Sequence, residues 1–148
     1  MNKLMENNTA KDELLSAIRN SIGDARDSVQ KLENVFKSNV TSLRVEESEE
    51  VFQNLSQNIH DLQYFMEFVN ELKNATTCFD NFNLPADPIS SDNIGANLFH
   101  EMANAFMSND WIMLSDLIEY ELTPMLLQED EWLRTLGDRV DRCETERC

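Results

Sequence analysis

The sequence is short of turn-formers, of cysteine and, across its middle, of positive charge. Three glycines and three prolines in 148 residues are too few for a many-stranded sheet and suit a few long helices. The three cysteines, Cys78, Cys143 and Cys148, are an odd number, which argues against a disulfide framework. No second Cys or His pair accompanies Cys143 and Cys148 to complete a zinc site. No stretch approaches the ~20 apolar residues of a membrane helix. The first residues, MNKLMENNTAKDEL, lack the apolar core of a signal peptide. The expected location is therefore cytoplasmic. Asn-x-Ser/Thr matches at Asn7, Asn39, Asn54 and Asn74 then carry no meaning.

Cations are the sharpest shortage. From Val45 to Leu133 there are eighteen acidic residues and one base, Lys73. The two flanks hold ten acids and eleven bases, so the middle accounts for the net charge of −16. Nucleic acid is excluded as a partner, because its binding proteins need basic patches. An anionic membrane surface is disfavoured for the same reason. A protein partner with a basic or amphipathic helix remains open, as does a homodimer. Solubility alone is a sufficient account of an acidic surface.

What is present is 41% apolar residues, enough for one core in a single domain over 1–148. Thr9 is a candidate N-cap, with Asp12 three residues on. Leu15, Ile18, Ile22, Ala25, Val29, Leu32 and Phe36 then follow in steps of three and four. This heptad seam predicts a helix over 10–38, roughly thirty residues and about 45 Å long. A polar connection around Asn39–Arg44 follows. A second helix over 46–77 begins with Glu46, Glu47, Glu49 and Glu50, which suit the positive end of its dipole. Its expected seam is Phe52, Leu55, Ile59, Leu62, Met66 and Val69, with Phe65, Phe68 and Leu72 as a second stripe. A face that wide meets two neighbours or a partner.

The loop CFDNFNLPADPIS (78–90) carries Phe79, Phe82, Leu84 and Ile89 and is expected to lie over one end of the helices. Ser91 or Asp92 caps a third helix over 91–107, with the stripe Ile94, Leu98, Met102 and Ala105 or Phe106. Ser108-Asn109-Asp110 makes a turn into a fourth helix over 110–142. The expected fold is all-α, an antiparallel up-down-up-down four-helix bundle.

Pro124 lies inside the fourth helical pattern. Thr123-Pro124 reads either as the start of a further helix or as a kink in a continuous one. Trp111, Ile118, Met125 and Trp132 are seven apart, which favours one kinked helix and gives Trp111, Pro124 and Trp132 structural roles. Glu121 then falls three residues after Ile118, in or beside the seam, and needs a donor. Lys73, Tyr64, Arg19 and Arg26 are candidates. Glu119 points elsewhere.

Catalytic patterns are scarce. His60 and His100 are preceded at three residues by Gln57 and Asn97, so the paired Glu-x-x-His motif of di-metal bundles is absent. His100-Glu101 meets Asn104 where a zinc protease has its second histidine. Neither histidine has the Lys-Gly pair that follows it in phosphorelay domains. No catalytic residue, cofactor or metal is assigned.

The string from Asp110 through Asp116-Leu-Ile-Glu119-Tyr-Glu121-Leu-Thr-Pro124 resembles a pattern in small uncharacterised bacterial helical proteins, Asp-Leu-Leu-Glu-Tyr-Glu-Leu-x-Pro. The resemblance covers about fifteen residues and implies no activity. In size and composition the chain is similar in kind to bacterial export chaperones, including flagellar ones. Three functions are therefore open. One is a non-enzymatic protein-interaction module using Phe65, Phe68, Phe79, Phe82, Glu119 and Glu121. The second is a self-associating subunit. The third is an enzyme built around Glu121.

Overall fold

In a computed structural model, which describes residues 2–77, 86–89 and 93–146, the chain is all-helical among the described residues. Helix α1 spans Asn2–Val45, α2 Glu49–Thr76, α3 Ile94–Met107, α4 Trp111–Leu117 and α5 Thr123–Glu146. A π turn over Ile118–Leu122 joins α4 to α5. Among the described residues, no helix is long and apolar enough to cross a membrane.

Helix α1 is the centre of the packing, against α2, α4 and α5, and α3 packs on α4. The heptad seam is buried throughout, from Leu15 to Phe36. The helix is longer than the seam predicts at both ends. Thr9 is inside it, since neither Gly nor Pro precedes it to stop the helix. The expected connection at Asn39–Arg44 is helical too. Val40 and Leu43 continue the seam by steps of four and three and are buried. Asn39 is itself buried and accepts a 2.7 Å hydrogen bond from the Asn58 side chain of α2. A polar pair inside an apolar seam fixes which turn of α2 meets which turn of α1.

Ser48 caps α2, its hydroxyl accepting from the Val51 N–H at 3.3 Å. The buried stripe of α2 is Val51, Leu55, Leu62, Phe65, Val69 and Leu72, with Asn58 at the seam position between Leu55 and Leu62. The expected stripe is rotated. Phe52, Ile59 and Met66 are only half-buried on its flank. Phe52 stacks on Trp111 with ring centroids 4.3 Å apart.

The expected caps Ser91 and Asp92, and the loop residues Phe79, Phe82 and Leu84, lie outside the described residues. Helix α3 starts after Asn93, which has a left-handed backbone (φ 58°) and no side-chain capping bond. Ile94 is exposed, while Leu98, Met102 and Ala105 are buried as expected. Asn109 is also left-handed (φ 56°). Asp110 caps α4 by accepting from the Met113 N–H at 3.1 Å.

The π turn accounts for the proline. The Thr123 N–H bonds to the carbonyl of Ile118, five residues back, and the Thr123 hydroxyl donates to the same oxygen at 2.9 Å. Pro124 sits exposed in the first turn of α5, where its missing N–H does least harm. The helical backbone runs on through it. The wide turn lets buried Leu114, Ile118, Leu122 and Leu126 follow in three steps of four before the three-four alternation resumes.

Candidate functional site

From Leu122 onward one stripe of buried positions runs Leu122, Leu126, Glu129, Leu133, Leu136, Val140 and Cys143, with Met125 and Trp132 buried beside it. Every step is three or four residues. One position on this apolar stripe is a glutamate, and it is fully buried at 0% exposure. It is Glu129 and not Glu121 that the fold encloses. Glu121 is exposed, because the π turn swings it off the stripe. Its expected partners have other acids: Arg19 pairs with Asp141 at 3.1 Å and Arg26 with Asp130 at 3.0 Å. These pairs join rising positions in α1 to falling positions in α5, so the two helices run in opposite directions.

Glu129 faces Lys73 of α2 and the segment 86–89. Lys73 forms an ion pair with Asp87 and lies over the ring of Trp132, 5.4 Å from its centroid. The Asp87 carboxylate also accepts from the Ile89 N–H at 3.2 Å, an Asx-type turn that brings the segment back on itself. Gly95 holds this segment against α3. Its N–H donates to the Ile89 carbonyl at 2.9 Å, and a Cβ at position 95 would stand 2.6 Å from that oxygen. Only glycine allows so close an approach.

Among the described residues, neither carboxylate oxygen of Glu129 has a hydrogen-bond partner. Burial pushes its carboxyl up to about 7, and the Lys73 ammonium and the Ile89 N–H act in the opposite direction. Burial in turn holds the Lys73 ammonium below its ordinary range, and Glu129 opposes that fall. A cavity of about 320 Å³ opens onto the three charged groups, walled by Met66, Val69 and Ile89 and edged by Glu67 and Asn70. A carboxyl that holds or releases its proton near neutrality can donate to, accept from or pair with a guest. Among the described residues, no group of three or more His, Cys, Asp or Glu side chains is placed to hold a metal.

Two wider clefts flank α2. One, about 830 Å³, lies between α2 and α3 and is lined by Ile59, Leu62, Met66, Phe99, Met102 and Phe106, with His60, Glu67 and Met107 among its other walls. The other, about 460 Å³, lies between α1 and α2. Phe65 and Phe68 line this second cleft, and Phe65 is buried at 4%, so it serves the core more than a surface. Phe79 and Phe82 lie outside the described residues. Glu119 is exposed and, with Asp116, pairs with Arg44 of α1 at 2.5 and 3.1 Å. Trp132 is buried and Trp111 half-buried between Phe52 and Phe106. Cys143 is buried and disulfide-bonded. The chain's other cysteines lie outside the described residues, and an odd count excludes only a complete set of pairs.

Sequence reasoning missed Glu129. The signal was its spacing, three after Leu126 and four before Leu133, the same test that drew attention to Glu121. A family model, described as domain of unknown function (DUF8042), matches residues 20–129. The chain belongs to this family. The match takes in α2, α3, the π turn and the whole of the cavity lining. No curated protein and no solved structure matches the chain.

Proposed function

We propose that the protein is a non-enzymatic interaction module, an adaptor or export-chaperone-like subunit, that holds a basic amphipathic helix in the cleft between α2 and α3. The frame we propose for it is an antiparallel up-down-up-down four-helix bundle whose last helix bends at Pro124. The observation that carries the reading is the cleft itself. Its walls are mostly apolar, and it belongs to the stretch of chain in which eighteen acids accompany one base. An amphipathic helix buries its apolar stripe in such a groove, and basic residues on its flanks meet the acidic surround. Met66, Met102 and Met107 give the walls side chains that adapt to a guest.

The test is a tagged pull-down at low and high salt, with Ala103→Arg as the control. Ala103 is exposed and lines the cleft, so the variant fills the groove with a cation and spares the core. A partner that is retained by the native chain, weakened by salt and lost with Ala103→Arg supports the reading. A partner indifferent to the substitution sinks it. A second reading, self-association through α2, rests on exposed Tyr64, at 66% exposure. Light scattering after size exclusion distinguishes it by a stable dimer without other protein.

A further inference from the structure

We propose that the cavity between α2, the 86–89 segment and α5 binds a small organic cation with N–H donors, an alkylammonium, on the carboxylate of Glu129. Glu129 is fully buried, lines the cavity, and has no hydrogen-bond partner for either oxygen among the described residues. Buried carboxylates are otherwise paired or hydrogen-bonded. The lysine that would pair with it is ion-paired with Asp87 and lies over the Trp132 ring. The lining holds three acids, Glu67, Asp87 and Glu129, against the one base, Lys73, so its field favours a cation over an anion. Asn70 offers a further acceptor at the edge, and Met66, Val69 and Ile89 offer apolar wall for a short alkyl chain. An ammonium brings the donors that Glu129 lacks, and its charge offsets the unbalanced acid.

This site does not depend on the proposed helix-binding groove, although Met66 and Glu67 wall both spaces. The probe is n-butylammonium chloride, titrated into the full chain by calorimetry, with n-butanol as the neutral counterpart. Saturable binding is expected for the ammonium and none for the alcohol. Glu129→Gln should weaken it roughly tenfold or more, because a charge-assisted bond is replaced by a neutral one. Asn70→Phe, which obstructs the mouth from an exposed position and leaves Glu129 in place, should weaken it as well. Ala103→Arg should leave it unchanged, which separates this cavity from the groove. Absence of saturation, equal affinity for Glu129→Gln, or loss of binding with Ala103→Arg would overturn the proposal. A water held on Glu129 that the ammonium does not displace would do the same.

Discussion

The last helix meets two clusters with the same ingredients, two carboxylates and one cation, in opposite surroundings. Just before its start, Arg44 reaches from α1 to Asp116 of α4 and Glu119 of the π turn, all three in contact with water at 41–53% side-chain exposure. Two turns past the π turn, Lys73 reaches from α2 to Asp87 beside Glu129, where Asp87 is 6% exposed and Glu129 not at all. At the first cluster solvent screens each charge, and the bonds set the Arg44 guanidinium above its ordinary range with little consequence for the fold. At the second, both carboxylates have left water, and Lys73 is only partly exposed, at 22% of its side chain. The difference teaches where an acid matters here. Each cluster sets one Asp and one Glu against one cation, and burial decides.

The comparison breaks most visibly at Lys73. Lys73→Met should destabilise the native state by about 3–5 kcal/mol in urea unfolding, because it leaves Asp87 buried without its cation. A loss within error would mean that the cluster is hydrated after all.

Glu129 gives the next effect, and its sign depends on pH. Its carboxyl ionises near 4.5 in the unfolded chain and at about 7 in the native one. The native state therefore holds the proton more tightly. That contribution is complete below about 4.5 and is lost as pH rises through about 7. Glu129→Gln does not titrate. Relative to wild type it should gain stability across this window, by up to about 3 kcal/mol at the alkaline end. Urea unfolding of both proteins from about pH 4.5 to 8 checks this. Parallel curves would contradict it.

A smaller effect is expected where the buried cluster is held shut. Gly95→Ala brings a Cβ to 2.6 Å from the Ile89 carbonyl and should destabilise by about 1–3 kcal/mol, while shifting the amide resonances of Asp87 and Ile89. The smallest effect belongs to the exposed cluster. Arg44→Ala should leave the unfolding midpoint unchanged at high salt, where screening has already removed the attraction. A marked fall there would make the two clusters alike.

The seam of α1 was open to sequence reasoning because a heptad repeat over two dozen residues leaves one face to bury. The stripe of α2 was not, because half-buried Asn58 occupies a seam position and its partner Asn39 lies on the neighbouring helix. Hydrophobicity counts pass over such a position and choose Phe52, Ile59 and Met66 on the flank instead. The π turn had the same effect on Glu121. Seven-residue spacing holds across it for Ile118, Met125 and Trp132, which are buried, but one widened turn moves an intervening acid into water. Glu129 was within reach of the spacing argument. Its meeting with Lys73 and Asp87 was not, since that depends on how residues 86–89 return against α3 at Gly95.

The most direct test is the titration of the Glu129 side-chain carboxyl, followed by carbon NMR and assigned through Glu129→Gln. A midpoint at about 7 is the result expected of a fully buried, unpartnered acid. A midpoint in the ordinary carboxylate range, near 4.5, would show that Glu129 is solvated or bonded, and the contrast between the two clusters would fall.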